Sequence, residues 1–114
     1  MTSRVVEPPA MIGMLGGGQL GRYALMAART MGYRTAVLDP DPGAPAAAIA
    51  DLVLTAPYED ESALTVLGDR CAVVTTEFEN PPASALQSLA RRTLVAPSAA
   101  AVAIAQDRIR EKAF

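Results

Sequence analysis

The chain has 114 residues and a formal net charge of −2, and it is 51% hydrophobic but only 4% aromatic. It contains no histidine and a single cysteine, Cys71. That excludes a Ser-His-Asp triad, a histidine general base, a histidine-ligated metal, a disulfide framework and a thiolate zinc site. The mildly acidic balance leaves no electrostatic footprint for nucleic acid, and no apolar run approaches the roughly 20 residues of a membrane span.

The length suits one domain of about 100–200 residues. The composition is unusual, with 23 alanines and nine arginines against one lysine, Lys112. Such small aliphatic filling suits thin helices packed closely on a sheet. Residues 1–10 carry Arg4 and the Pro8-Pro9 pair without an apolar core, so they are expected to form a short disordered leader rather than a signal peptide. Together with the lone thiol, this makes the expected location cytoplasmic.

From Met11 onward, short apolar runs alternate with amphipathic stretches. Met11 to Leu15 predicts a buried strand that stops at Gly16-Gly17-Gly18. Gln19 to Met31 predicts a helix with Leu20, Ala24, Ala27 and Met31 on its buried face, ended by Gly32. Thr35 to Leu38 is a second strand, followed by the turn segment Asp39-Pro40-Asp41-Pro42-Gly43 and a short alanine-rich coil of one or two helical turns, Ala44 to Ala50.

Leu52 to Leu54 predicts a third strand, and Glu59 to Asp69 a helix around Ala63, Leu64 and Leu67. Cys71 to Thr75 predicts the fourth strand, Ala83 to Arg92 a helix burying Leu86 and Leu89, and Leu94-Val95 a last short strand. Strands alternating with helices predict an α/β fold, a Rossmann-like open parallel sheet with helices on both faces, over residues 11–97. Ser98 is a candidate cap for a terminal helix over residues 98–114. That helix stops without a Gly or Asn cap, so the sequence is expected to be cut there rather than finished.

Gly16-Gly17-Gly18-Gln19-Leu20-Gly21 fits G-x-G-x-x-G between a predicted strand and helix. In that setting the glycines permit a tight turn, backbone approach by a ligand and close helix–strand packing. Free N–H groups at the helix start then favour an anion such as a phosphate. A tight turn without a ligand would account for part of the pattern, although three adjacent glycines carry an entropic cost that a mere turn does not require. Asp39 lies where an acidic residue holds an NAD ribose in dinucleotide-binding domains, but the Asp-Pro-Asp-Pro-Gly loop explains an aspartate there equally well.

Glu77-Phe78-Glu79-Asn80 follows the fourth strand at the carboxyl rim where open α/β sheets bind ligands. Two carboxylates and a carboxamide can accept from sugar hydroxyls or an amine; a solvated acidic turn before Pro81-Pro82 is the alternative, and Phe78 is expected to be a core plug. In the run from Asp107 to Lys112, Asp107 with Glu111 and Arg108 with Lys112 are like-charged at i, i+4, which costs a helix a few tenths of a kcal/mol. A solvated face and an anionic partner both remain open there. Cys71 is expected to be a buried strand residue without chemistry.

Taken together, Ile12-Gly-Met-Leu-Gly-Gly-Gly-Gln-Leu-Gly-Arg22, Leu38-Asp-Pro-Asp41, Ala44-Pro-Ala46, Glu77-Phe-Glu-Asn80 and Ala105-Gln-Asp-Arg108 resemble the N-terminal domain of the N5-carboxyaminoimidazole ribonucleotide synthase family. Members are ATP-grasp ligases of purine biosynthesis. The resemblance implies a pre-ATP-grasp domain and a reaction in which ATP and bicarbonate carboxylate the exocyclic amine of 5-aminoimidazole ribonucleotide to N5-CAIR. It implies substrate contacts from Gly17, Gly18, Gln19, Leu20, Glu77, Glu79 and Asn80, and ATP contacts from Arg108 and Lys112. In this light Asp39 reverts mostly to a turn residue.

No catalytic or metal-binding residue is implied within the 114 residues. An ATP-grasp domain beyond them would supply most ATP and Mg2+ contacts, so the chain alone is expected to be inactive. Implied partners are the ribonucleotide, ATP and bicarbonate, with a homodimer at full length and neither nucleic acid nor membrane. Pro81 stands where members commonly carry an aliphatic residue, which stiffens the loop. Rival readings are a formate-dependent glycinamide ribonucleotide transformylase-like enzyme, an NAD(P)-binding oxidoreductase domain and a nucleotide-binding regulatory domain. Gln19 and the Phe78-Glu79-Asn80 run favour the carboxylating family.

Overall fold

In a computed structural model that describes residues 9–78 and 81–96, five strands form one sheet in the order β3-β2-β1-β4-β5. They are β1 (Met11–Leu15), β2 (Arg34–Asp39), β3 (Leu52–Thr55), β4 (Val73–Thr76) and β5 (Leu94–Val95). Every neighbouring pair is parallel. The helices are α1 (Gln19–Thr30), α2 (Glu61–Arg70) and α3 (Ala83–Ala90), and a 3-10 turn covers Pro45–Ala48. The α/β class and the parallel open sheet are those predicted. Residues 1–8 of the expected leader over 1–10, the terminal helix with its Ser98 cap, and Glu79, Asn80, Arg108 and Lys112 lie outside the described residues.

Successive strand side chains point to opposite faces. Both faces are covered here, so the central strands read as continuous apolar runs rather than alternating ones. Met11 and Leu15 of β1, Ala36 and Leu38 of β2, and Val74 of β4 meet Leu64 and Leu67 of α2 and Leu89 of α3. From the opposite face Met14 and Val37 pack with Leu25 of α1 and Ala46, while Ile12 and Val73 pack with Ala28 and Tyr33. Gly13 tightens the first layer, since a Cβ there would lie 2.8 Å from the Cys71 Sγ.

Three predicted details need correction. The buried face of α1 is Gly21, Leu25 and Ala28, one residue away from the predicted stripe, and Leu20 is 70% exposed. Gly21 sets that rotation, because a Cβ on it would come within 2.7 Å of the Gly16 carbonyl oxygen. The fourth strand starts at Val73 rather than Cys71, because α2 runs on to Arg70 and Cys71 N–H closes its last turn on the Leu67 carbonyl. On α3 the buried residues are Ala85, Ser88 and Leu89, with Leu86 only partly buried.

Candidate functional site

The chain order of the strands reverses between β1 and β4, and such a switch point is where open α/β sheets form a crevice beyond their carboxyl ends. The glycine loop lies at that rim. Gly16 N–H extends the β1–β2 ladder by donating to the Leu38 carbonyl at 2.9 Å, and its φ of +98° turns the chain toward α1. That left-handed conformation is one that glycine adopts at no steric cost.

The next N–H groups do not face open space. Gly17 donates to Asp39 Oδ2 at 2.8 Å, Gly18 to Glu77 Oε1 at 2.8 Å, and Gly21 to Glu77 Oε2 at 2.9 Å. The Gly17 carbonyl accepts from Ala46 N–H at 2.8 Å, which ties the alanine-rich 3-10 turn to the loop. Two carboxylates, one at the end of each strand beside β1, therefore brace the loop from both sides.

Glu77 performs for α1 what the helix lacks locally. The N-cap is Gly18, which has no capping side chain, and the first turn contains no acidic residue. A carboxylate on those N–H groups satisfies orphan donors and the positive end of the helix dipole at once. By contrast α2 caps itself, with Asp60 accepting from Ala63 N–H at 3.1 Å.

The sequence expectation of free N–H groups awaiting a phosphate is thus corrected at Gly17, Gly18 and Gly21. Among the described residues only the Gln19 and Leu20 N–H groups of this segment meet no acceptor. Both side chains are exposed at the start of α1.

Asp39 is more than the turn residue expected. Its Oδ1 accepts from Asp41 N–H at 2.8 Å, the Asx turn that the Asp-Pro-Asp motif predicts. Its Oδ2 takes Gly17 N–H and also the Tyr58 hydroxyl at 3.0 Å. Oδ2 is filled by two donors and Oδ1 already holds one, so the pair of free oxygens that a ribose diol would use is not available. Tyr58 in turn meets Phe78 edge-on, with ring centroids 5.0 Å apart. Burial, reinforced by the bond to Asp39, pushes the Tyr58 hydroxyl pKa above its ordinary value, so it stays a proton donor.

Beside Glu77 lies a cavity of about 580 Å3 whose walls include Met14, Leu20, Ala24, Glu77, Phe78 and Pro81. Phe78 is a cavity wall and ring partner rather than the buried plug expected. The strand ends at Thr76, so Glu77 lies just beyond it. One buried side-chain donor among the described residues has no partner, Nε of Arg22, immediately after the loop. Sequence reasoning missed Tyr58, whose contact with Asp39 spans 19 residues without any motif. Among the described residues no three His, Cys, Asp or Glu side chains are grouped to hold a metal ion, and no helix is long and apolar enough to cross a membrane.

A glycine loop braced at the switch point of an all-parallel sheet defines a Rossmann-like α/β domain. Residues 10–106 match the model of the ribonucleotide synthetase preATP-grasp domain, and the chain belongs to that family. Among curated relatives it is similar to N5-carboxyaminoimidazole ribonucleotide synthase of Brucella melitensis, with 46% identity over 114 residues. That match covers 100% of this chain and 32% of the relative. Among solved structures, N5-carboxyaminoimidazole synthetase of Staphylococcus aureus complexed with ADP superposes with a TM-score of 0.74 at 41% identity, over 80% of this chain and 25% of that one. The Aspergillus clavatus synthase in complex with ADP and 5-aminoimidazole ribonucleotide gives 0.65 at 33% identity, over 75% and 23% respectively. The chain thus spans about a third of the length of the curated relative from Brucella.

Proposed function

We propose that this chain is the substrate-side part of an ATP-dependent ligase that carboxylates 5-aminoimidazole ribonucleotide with bicarbonate to N5-CAIR in de novo purine biosynthesis. The observation that carries the reading is the 46% identity to a synthase of that name along the entire chain. The site supports it in kind. A crevice is walled by exposed Leu20 and by a carboxylate that uses its two oxygens on backbone donors. Each of those oxygens has a further lone pair, able to accept from a hydroxyl or an amine of a ligand in the cavity.

In this reading Gly17 and Gly18 shape the loop, while Gln19, Leu20 and Glu77, with Glu79 and Asn80, contact the ribonucleotide. Arg108 and Lys112 contact ATP. Asp39 and Glu77 spend their oxygens on N–H and O–H donors and do not suit Mg2+, which belongs with the remainder of the ligase. The full-length enzyme is a cytoplasmic homodimer in this reading, and the 114 residues alone do not turn over.

The test is ADP release in the presence of 5-aminoimidazole ribonucleotide and bicarbonate. The chain alone is expected to give background. A chimera joining it to the remaining two-thirds of the Brucella relative is expected to release ADP only when the ribonucleotide is present. Turnover by the chain alone, or a folded chimera indifferent to the ribonucleotide, contradicts the reading.

A further inference from the structure

We propose that Glu77 is the specificity determinant of the glycine loop. Its carboxylate occupies the seat that a phosphate or pyrophosphate takes in dinucleotide-binding domains, and so closes a G-x-G-x-x-G fingerprint to anionic ligands. The inference concerns this chain's own loop and stands apart from the ligase reading.

Two independent observations carry it. The first is occupancy: the N–H groups of Gly18 and Gly21, which in such a loop would face an anion, both donate to the one carboxylate at 2.8 and 2.9 Å. The second is the reason the residues are glycine. A Cβ on Gly16 would lie 2.8 Å from Glu77 Cγ, and one on Gly18 would lie 2.8 Å from Oε1 and 3.1 Å from Oε2. One on Gly21 would meet Oε2 at 3.2 Å besides the Gly16 carbonyl. The three fingerprint glycines make room for an internal side chain, where the fingerprint ordinarily makes room for a ligand.

An incoming phosphate would have to displace a carboxylate held by two charge-assisted bonds, or share the helix terminus with its negative charge. On the other flank Asp39 takes Gly17 N–H, so shifting the anion back toward β1 meets a second carboxylate. The same fold and fingerprint are thereby kept from binding dinucleotides without any change in the glycines themselves.

The experiment follows the amide resonances of Gly18 and Gly21 in the 15N-labelled chain during titration with inorganic pyrophosphate, and separately with NADH. In the wild-type chain these amides are expected to show no saturable shift at millimolar pyrophosphate. Glu77→Ala is expected to gain saturable shifts at both residues with at least about tenfold tighter apparent binding. Glu77→Gln, which keeps the shape and loses the charge, is expected to fall between. A role confined to holding the loop together would lower stability in the variants without creating this response. Saturable shifts in the wild-type chain, or folded variants that gain none, overturn the proposal. Should both variants fail to fold, the wild-type titration still decides, since still amides support the occupied seat and moving ones refute it.

Discussion

Asp39, the last residue of β2, accepts a 2.8 Å hydrogen bond from the backbone N–H of Gly17, 22 positions earlier in the chain. The same carboxylate holds Asp41 N–H and the Tyr58 hydroxyl, so one side chain joins the glycine loop, the following turn and the segment before α2. Removing it leaves two partly buried donors, the Gly17 N–H and the Tyr58 hydroxyl, without partners. Asp39→Ala is expected to lower stability by about 2–3 kcal/mol, read as a lower urea midpoint at unchanged slope. Tyr58→Phe, which keeps the ring contact with Phe78, is expected to lose about 1 kcal/mol or less. Equal losses, or no loss in Asp39→Ala, would contradict this arrangement.

The glycines separate into positions where a side chain fits and positions where it does not. Gly16→Ala combines a φ of +98° with a Cβ 2.8 Å from Glu77, and Gly21→Ala drives its Cβ to 2.7 Å from a backbone carbonyl. Each is expected to cost about 2 kcal/mol or more. Gly43→Ala meets only Asp41 Oδ1 at 3.4 Å and is expected to stay within about 0.5 kcal/mol of the parent. Thermal midpoints of the three variants side by side check the order.

Much of the fold is legible in the sequence, because parallel strands covered on both faces leave uninterrupted apolar runs such as Met11 to Leu15 and Val73-Val74. The rotation of α1 is not, since helical spacing alone allows the stripe through Leu20 or the one through Gly21. Only the clash of a Cβ with the Gly16 carbonyl chooses between them. The glycine loop and the Glu77 segment are likewise legible as candidate site pieces through motif and position. Their mutual contact is not, because a bond between Gly18 and Glu77 spans 59 residues and depends on β4 lying beside β1. Tyr58 carries no motif at all, and its role emerges only when β3 is laid against β2.

Acid is expected to weaken the chain partly through Asp51. The Thr35 N–H, at 2.8 Å from Oδ2, is the main influence holding this carboxyl below its ordinary pKa; burial opposes it and Arg29 assists. A carboxyl depressed in the folded state contributes stability that is fully present above the unfolded value of about 3.9. That contribution is lost as pH falls through the lower folded value. Asp51→Asn is therefore expected to flatten the fall in stability below about pH 4. Parallel stability profiles for variant and parent would contradict this.

Cys71 is buried, and burial pushes its thiol pKa up to about 12. Since the thiolate is the reactive form, iodoacetamide at pH 8 is expected to label the folded chain at least about 100-fold more slowly than the urea-unfolded chain. Equal rates would place the sulfur at the surface.

The central claim is that the crevice walled by Leu20 and Glu77 receives the aminoimidazole ribonucleotide. A crystal structure of the ligase chimera with 5-aminoimidazole ribonucleotide tests it most directly. The predicted result is ligand density in that crevice, with a hydroxyl or amine on Glu77 and the phosphate away from the Gly18 and Gly21 N–H groups. A ribonucleotide bound elsewhere with the crevice empty, or one whose phosphate sits on those two amides in place of Glu77, would contradict it.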